Sequence, residues 1–321
     1  LRLGFAGTPQ FAVAALDALA RSRHTLAVVF TKPDRPAGRG QAVQASPVKQ
    51  RAAALGIPVL QPVTFKAPEA QNALRQFAVD ALVVVAYGLI LPAGVLAVPR
   101  LGCFNIHASL LPRWRGAAPI HRALLAGDAT TGITIMRMEA GLDTGPMLAV
   151  RTLPIAPDDT AGTLHDRLAL LGGELVVETL DSLAAGTVEA VPQPAVGVTY
   201  ADKINKAEAH IDWNSDALEV VRQVRAFNPW PIAESRLEGV QLRVWEAELA
   251  PHVTGDAPAG LADAAAVVPG TVLAATNAGI DVACGGGVVR ILKLQLAGRR
   301  PLAAGEFIKA HPLVGARLAR A

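Results

Sequence analysis

The run ALVVVAY at Ala81–Tyr87 constrains the fold more than any other part of the chain. Apolar and β-branched residues follow one another there without polar alternation, as in a strand buried on both faces of a parallel sheet. Parallel strands need crossover connections, so helical segments must lie between them. The flanking sequence supplies these. Strand patterns are read at residues 1–7, 26–30, 57–60, 102–108 and 132–138, with another ending near Ile155. Helical patterns fall at residues 9–20, 47–54, 68–77, 119–125 and 160–185. Ser46 followed by Pro47 marks one helix start, with a hydroxyl N-cap and a proline at the first helical position. This β-then-α alternation predicts an α/β domain with a doubly wound, mostly parallel sheet.

With 321 residues there is room for a second domain. Pro192, Pro194 and Gly197 interrupt any period after residue 187, so residues 188–205 are read as a linker between domains at 1–187 and 206–321. The second domain turns β-rich: a hairpin is predicted with its turn at Glu238 and Gly239, and Gly270–Leu296 carries three short strands. Short strands at that spacing suggest a small barrel. Ala250–Gly270, rich in Ala, Pro and Gly, reads as a mobile excursion with no assigned role.

Hydrophobic residues at 51% and charged residues at 18% describe a globular chain rather than a disordered one. No apolar run reaches the roughly 18–20 residues that span a bilayer, and no basic region precedes a hydrophobic signal core. A cytoplasmic protein without membrane contact is expected. Cys103 and Cys284 stand far apart, without CxxC or Cys/His spacing, so neither a disulfide framework nor a metal site is indicated. Gly4 and Gly7 complete no dinucleotide fingerprint, and no P-loop lysine follows.

The net charge of +3 matters less than its distribution. Between Thr31 and Arg51 five Lys or Arg face one acid, within a stretch whose first part, Thr31–Ala45, shows no hydrophobic period. From Arg290 to the end there are seven basic residues and one acid, Glu306. Solvated charged surface accounts for either stretch; a polyanion partner does so equally.

The chemistry is expected at FNIHASLLPRWRGAAP, residues 104–119. Period-two geometry puts Cys103, Asn105 and His107 on one face of a strand, at the carboxyl edge where open α/β sheets bind ligands. An amide beside an imidazole can stabilise an oxyanion and accept a proton. Ordinary turn hydrogen bonding also explains Asn105 and His107, and Asp143 in GLDTG is equally a common turn residue.

These residues belong to a wider pattern: FAGTP at 5–9, KPDRPAGRG at 32–40, SPVK at 46–49, VVVAYGLILP at 83–92, NIH with SLLP at 105–112, GLDTG at 141–145, TYADKI at 199–204 and RAFNPWP at 225–231. In them the chain closely resembles the methionyl-tRNA formyltransferases, over nearly its whole length. The resemblance implies a Rossmann-like formyltransferase domain followed by an OB-like barrel that helps hold tRNA. It implies a catalytic trio at Asn105, His107 and Asp143. Folate contacts fall at Ser109, Leu110, Leu111 and Pro112, and around Tyr87, Gly88, Leu89 and Ile90. Arg39, supported by Arg35 and Lys49, falls where the family meets the acceptor end of initiator tRNA. The co-substrate implied is 10-formyltetrahydrofolate, with no metal, and a monomer is expected. One departure stands out: Gln41 and Ala42 follow the GRG, where the family often has two basic residues. A formyltransferase acting on a glycinamide nucleotide or amino sugar, a formyltetrahydrofolate hydrolase, and an inactive RNA-binding relative are the competing readings.

Overall fold

A computed structural model describes residues 1–37, 42–251 and 267–319, and the described chain divides into two compact units. The first comprises Leu1–Pro119, Ala129–Ile155 and Leu164–Asp202; the second comprises Ile120–Asp128, Ala156–Thr163 and the chain from Lys203.

The first unit opens with β1 (Arg2–Gly7), α1 (Gln10–Arg21) and β2 (Thr25–Phe30). Next come β3 (Arg35–Ala37), β4 (Ala42–Gln44), α2 (Pro47–Ala54), β5 (Val59–Leu60), α3 (Pro68–Gln76), β6 (Ala81–Val85) and α4 (Ala93–Leu96). The chain continues through β7 (Gly102–His107), β8 (Arg115–Gly116), α5 (Pro119–Ala126), which after Pro119 belongs to the second unit, β9 (Thr130–Arg137), β10 (Met147–Pro154), α6 (Ala161–Ala185), whose residues before Leu164 also belong to the second unit, and β11 (Tyr200–Ala201). Seven strands form one sheet in the order β10-β9-β7-β6-β1-β2-β5. From β5 to β7 the pairings are parallel; β9 runs antiparallel to both β7 and β10.

All five residues of β6 are buried, as the unbroken apolar run requires. Each Val or Leu so placed stabilises the sheet by about 1.5–3 kcal/mol, which is why the centre of the sheet is readable from composition alone. Position 10 of the chain begins α1 immediately after β1, and α2 starts as expected, with the Ser46 hydroxyl accepting from the Lys49 amide at 3.0 Å. The stretch Thr31–Ala45, expected to lack regular structure, instead contains the short antiparallel pair β3–β4. Two three-residue strands of mixed polarity carry too little periodicity to be seen in sequence.

The second unit contains a 3₁₀ turn at Lys206–Ala209, α7 (Ala217–Ala226), β12 (Ala233–Leu237), β13 (Val240–Leu249), β14 (Val272–Thr276), β15 (Gly279–Ala283), β16 (Val288–Leu296), β17 (Leu302–Ala303), α8 (Ala304–Phe307) and β18 (Leu318–Ala319). Its sheet has the order β14-β15-β16-β13-β12-β18 with β17 beside β16, every pairing antiparallel, and it curls as a half-barrel. Glu238 and Gly239 both take positive φ, 50° and 81°, in the turn between β12 and β13. The core is filled by Trp213, Val220, Val224, Leu242, Val282, Val289 and Phe307. Trp213 Nε1 donates to the Ser235 hydroxyl at 3.0 Å, which donates to the Ala319 carbonyl at 2.7 Å, so the polar ends of buried groups are satisfied.

RAFNPWP acquires a structural explanation within this unit. Arg225 donates to the main-chain carbonyls of Asp159 and Ala156, each at 2.8 Å, and the Asn228 amide donates to the Trp245 carbonyl at 2.8 Å. The Asn228 carbonyl accepts from Gly162 at 3.0 Å. The motif therefore fastens Ala156–Thr163 and β13 through main-chain atoms.

Candidate active site

Asn105 and His107 project from the last turn of the pleat of β7, and Asp143 comes from the loop between β9 and β10. Asn105 Nδ2 donates to Asp143 Oδ1 at 3.4 Å, and His107 Nδ1 lies 3.7 Å from Asp143 Oδ2. The same Oδ2 accepts the Gly116 amide at 2.9 Å. Three residues separated by 38 positions in the chain are thus brought to one point at the carboxyl edge of the sheet. His107 is 5% exposed and Asp143 14%, so their mutual orientation is shielded from bulk water.

The two competing explanations of these residues turn out to be compatible. His107 does bond local backbone: its Nε2 lies 2.9 Å from the Trp114 carbonyl. A carbonyl only accepts, so Nε2 carries the hydrogen, and Nδ1 is the edge left for chemistry. At 3.7 Å the Asp143 oxygen is beyond hydrogen-bond length, so Nδ1 remains available to an incoming group. Asp143 is also a turn residue, with φ of 51°, a region that Asp tolerates better than most side chains.

Cys103 shares the strand but packs into the core. It is buried, and desolvation pushes its thiol up to about 12, so it stays a protonated core residue.

Several residues that sequence patterns missed hold this point together. Gln193, inside the expected linker, donates from Nε2 to the carbonyls of Asp143 and Gly145, both at 2.8 Å. Its Oε1 accepts from Arg115 Nε at 3.0 Å and Nη2 at 2.7 Å. Every polar atom of that amide is used, and it locks the Asp143 turn to the strand that carries Gly116. Alongside, β11 pairs with β8, and Thr199 accepts the Trp114 amide at 2.9 Å. Gly116 has φ of 123°, and a Cβ there would stand 2.8 Å from the Ala201 carbonyl, so this close pairing admits only glycine. Around Gln193 only the Pro and Gly residues gave a signal in the sequence, and they concealed its ties to the site.

Gln193→Ala is expected to cost about 1–3 kcal/mol of stability, because two carbonyls and a guanidinium lose their partner. Turnover is expected to fall by roughly 10- to 100-fold through misplacement of Asp143. Thermal unfolding together with kcat measures both; a change in neither shows that the Asp143 turn holds itself.

The folate-contact candidates occupy the adjoining strand ends. Ser109 is buried, and its hydroxyl donates to the Arg113 carbonyl at 2.6 Å while its carbonyl accepts from Thr134 at 2.7 Å. Leu111 is buried and Leu110 half-buried, and Leu111–Pro112 is a cis peptide. Beyond β6, Tyr87 is buried and its hydroxyl has no hydrogen-bond partner among the described residues, with burial raising its pKa. Gly88 turns at φ of 74°, Leu89 is half-buried and Ile90 is 80% exposed.

The tRNA candidates divide differently. Arg39 lies outside the described residues. Arg35 is exposed on β3. Lys49 instead pairs with Asp34 at 2.5 Å, and this bond, with one from Gln61, holds the Asp34 carboxyl below the usual carboxylate range. Of the basic residues after residue 289, Arg290 is paired with Asp281 and Lys293 with Glu246, whereas Arg299, Arg300, Lys309 and Arg317 are exposed. Among the described residues no group of three or more His, Cys, Asp or Glu is placed to hold a metal ion, and no helix is long and apolar enough to cross a membrane.

Sequence comparison places this doubly wound sheet and its second domain among the formyl transferases. The family profile "Formyl transferase" matches residues 2–180, and "Formyl transferase, C-terminal domain" matches residues 203–312. Within that class, the chain belongs to the methionyl-tRNA formyltransferase family. It is 53% identical over 318 residues to the methionyl-tRNA formyltransferase of Methylococcus capsulatus, covering 99% of each chain. It is 55% identical over 313 residues to that of Aromatoleum aromaticum, covering 98% of this chain and 95% of the relative. Among solved structures, the fold is similar to the sugar 3N-formyl transferase WlaRD, with a TM-score of 0.66 at 18% identity, covering 94% and 99% of the two chains. It is also similar to an N-formyltransferase from Helicobacter canadensis in complex with folinic acid and dTDP-3-aminofucose, with a TM-score of 0.65 at 18% identity, covering 90% and 98%.

Proposed function

We propose that the chain transfers a formyl group from 10-formyltetrahydrofolate to the α-amine of methionyl initiator tRNA. The observation that carries this reading is the convergence of Asn105, His107 and Asp143 at one point, in a chain of this family. The residues present fit the folate. Main-chain amides of Gly88, Leu89 and Ile90 make no hydrogen bond within the described chain, and Ile90 offers an exposed apolar surface beside them. When bound, 10-formyltetrahydrofolate supplies the activated formyl group.

Each side chain of the trio then has a task set by its geometry. Asn105 uses one Nδ2 hydrogen toward Asp143, which leaves the other to donate to a carbonyl oxygen that gains negative charge during acyl transfer. His107 presents Nδ1, because its Nε2–H is held by the Trp114 carbonyl. The Asp143 carboxylate lies beside that edge and takes part in removing the amine proton, since only a neutral amine can attack. The Gly116 amide fixes the carboxylate while it does so. On the same reading, Arg35 and Arg39 engage the tRNA acceptor end, and the exposed Arg299, Arg300, Lys309 and Arg317 add favourable charge for the polyanion.

Single-turnover formyl transfer, with methionyl initiator tRNA and glycinamide ribonucleotide offered together, tests the proposal. Formylation of the charged tRNA alone is the expected result. Formylation of the nucleotide while the tRNA stays unmodified would leave the trio standing and overturn the acceptor.

A further inference from the structure

Charge accounting around the basic stretch leaves one cation in an unexpected place. Of its described basic residues, Lys49 is paired with Asp34 and Arg51 with Asp17, both at 2.5 Å. Asp34 is the sole acid between Thr31 and Arg51, and Gln61 also occupies it at 2.7 Å. Of the two basic residues that remain, Arg35 is exposed, whereas Lys32 is half-buried with no counterion among the described residues. Its backbone is pinned on both sides: its amide donates to the Thr8 hydroxyl at 3.4 Å and its carbonyl accepts from Gln61 at 2.9 Å.

The side chain does not extend into solvent on its own side of the sheet. Lys32 follows β2, yet its ammonium occupies the space that a side chain on Gly88 would fill, with Cε 2.9 Å from where that Cβ would stand. Gly88 follows β6, two strands away, because β1 lies between β2 and β6. Thr8, just after β1, bridges the gap by donating to the Tyr87 carbonyl at 3.1 Å. The next strand beyond β6 is β7, which ends in His107. Val84 on β6 is in register with Asn105 on β7, so Gly88 follows at the carboxyl end of the strand next to the one that carries Asn105 and His107. An unpaired cation held half-buried at the edge where a sheet binds ligands is a costly arrangement without an anion to meet it.

We infer that Lys32 is a positioning residue for the acceptor, holding the phosphate of the terminal nucleotide of the aminoacylated strand. This inference rests on the function proposed above. In that substrate only the aminoacyl ester and one ribose separate the reacting amine from the nearest phosphate, so an ammonium at the end of the neighbouring strand is within reach of that group. The anionic groups of the folate lie on its glutamate tail, remote from the ring system that the Gly88–Ile90 amides suit.

The test compares the wild-type chain with Lys32→Met and Lys32→Arg in steady-state formylation of methionyl initiator tRNA, between 50 and 200 mM salt. Lys32→Met is expected to raise the KM for tRNA about tenfold, the size of one charge-assisted contact, and to leave the KM for 10-formyltetrahydrofolate where it was. The slope of log kcat/KM against log salt should become shallower by about 0.7–0.9, the loss of one phosphate contact. Lys32→Arg should restore most of both, which a purely structural role would not produce. A raised folate KM with an unchanged tRNA KM would assign the cation to the folate carboxylates and overturn the inference. Unchanged values for both substrates, in a variant that melts like the wild type, would make Lys32 a solvated side chain. Wild type that fails to formylate the tRNA would instead defeat the functional reading, and the role of Lys32 with it.

Discussion

Asp143→Asn is expected to lower kcat by about 10²- to 10⁴-fold, the range lost with a positioned proton acceptor. The substitution isolates charge from shape. Asn accepts the positive φ of 51° that Asp143 adopts, and its amide oxygen can still receive the Gly116 N–H. Gln193 continues to hold the carbonyl of residue 143, because that bond involves only the main chain. What disappears is the negative charge facing His107 Nδ1 and the ability to take a proton. Thermal unfolding should therefore change little while turnover collapses, with substrate KM values nearly unaltered. Turnover within a few-fold of wild type would remove Asp143 from the chemistry.

The second large effect is expected at Asn105. Its amide is half-buried on β7 and touches Asp143 through a single long hydrogen bond of 3.4 Å, so folding owes it little. Asn105→Ala should still cost about 10²- to 10³-fold in kcat, the usual loss on removing one oxyanion donor. Because Asn105 and Asp143 are in contact, the losses should not add. The Asn105→Ala, Asp143→Asn double variant is expected to be only slightly slower than the worse single variant. Fully multiplicative losses would mean that the two side chains act in separate steps, and a kcat near wild type for Asn105→Ala would place the oxyanion donor elsewhere.

Both expectations depend on side chains whose types were legible in the sequence and whose meeting was not. The run at Ala81–Val85 and the strand at Gly102–His107 declare themselves because burial on a sheet leaves a compositional trace at short range. The same holds for the Ser46 cap and for the turn at Glu238 and Gly239, where local geometry selects the residue types. Pattern placed Asn105 and His107 on one strand face; the family resemblance supplied their partnership with Asp143.

Tertiary structure decided the rest. Gln193 has no periodicity and no motif, and its importance comes from four hydrogen bonds to residues 48 to 78 positions away. Contacts at such separations leave no local signature, since an amide side chain on a Pro- and Gly-rich segment looks the same whether solvated or fully engaged. Lys49 and Lys32 make the same point with charge. Both read as basic residues of one stretch, yet folding neutralises Lys49 against Asp34 and carries the Lys32 ammonium to Gly88. The order of residues along this chain determined its elements and the chemical groups available to them. Which of those groups are spent on holding the fold, and which are left facing a substrate, follows from pairings that exist only once the strands lie side by side.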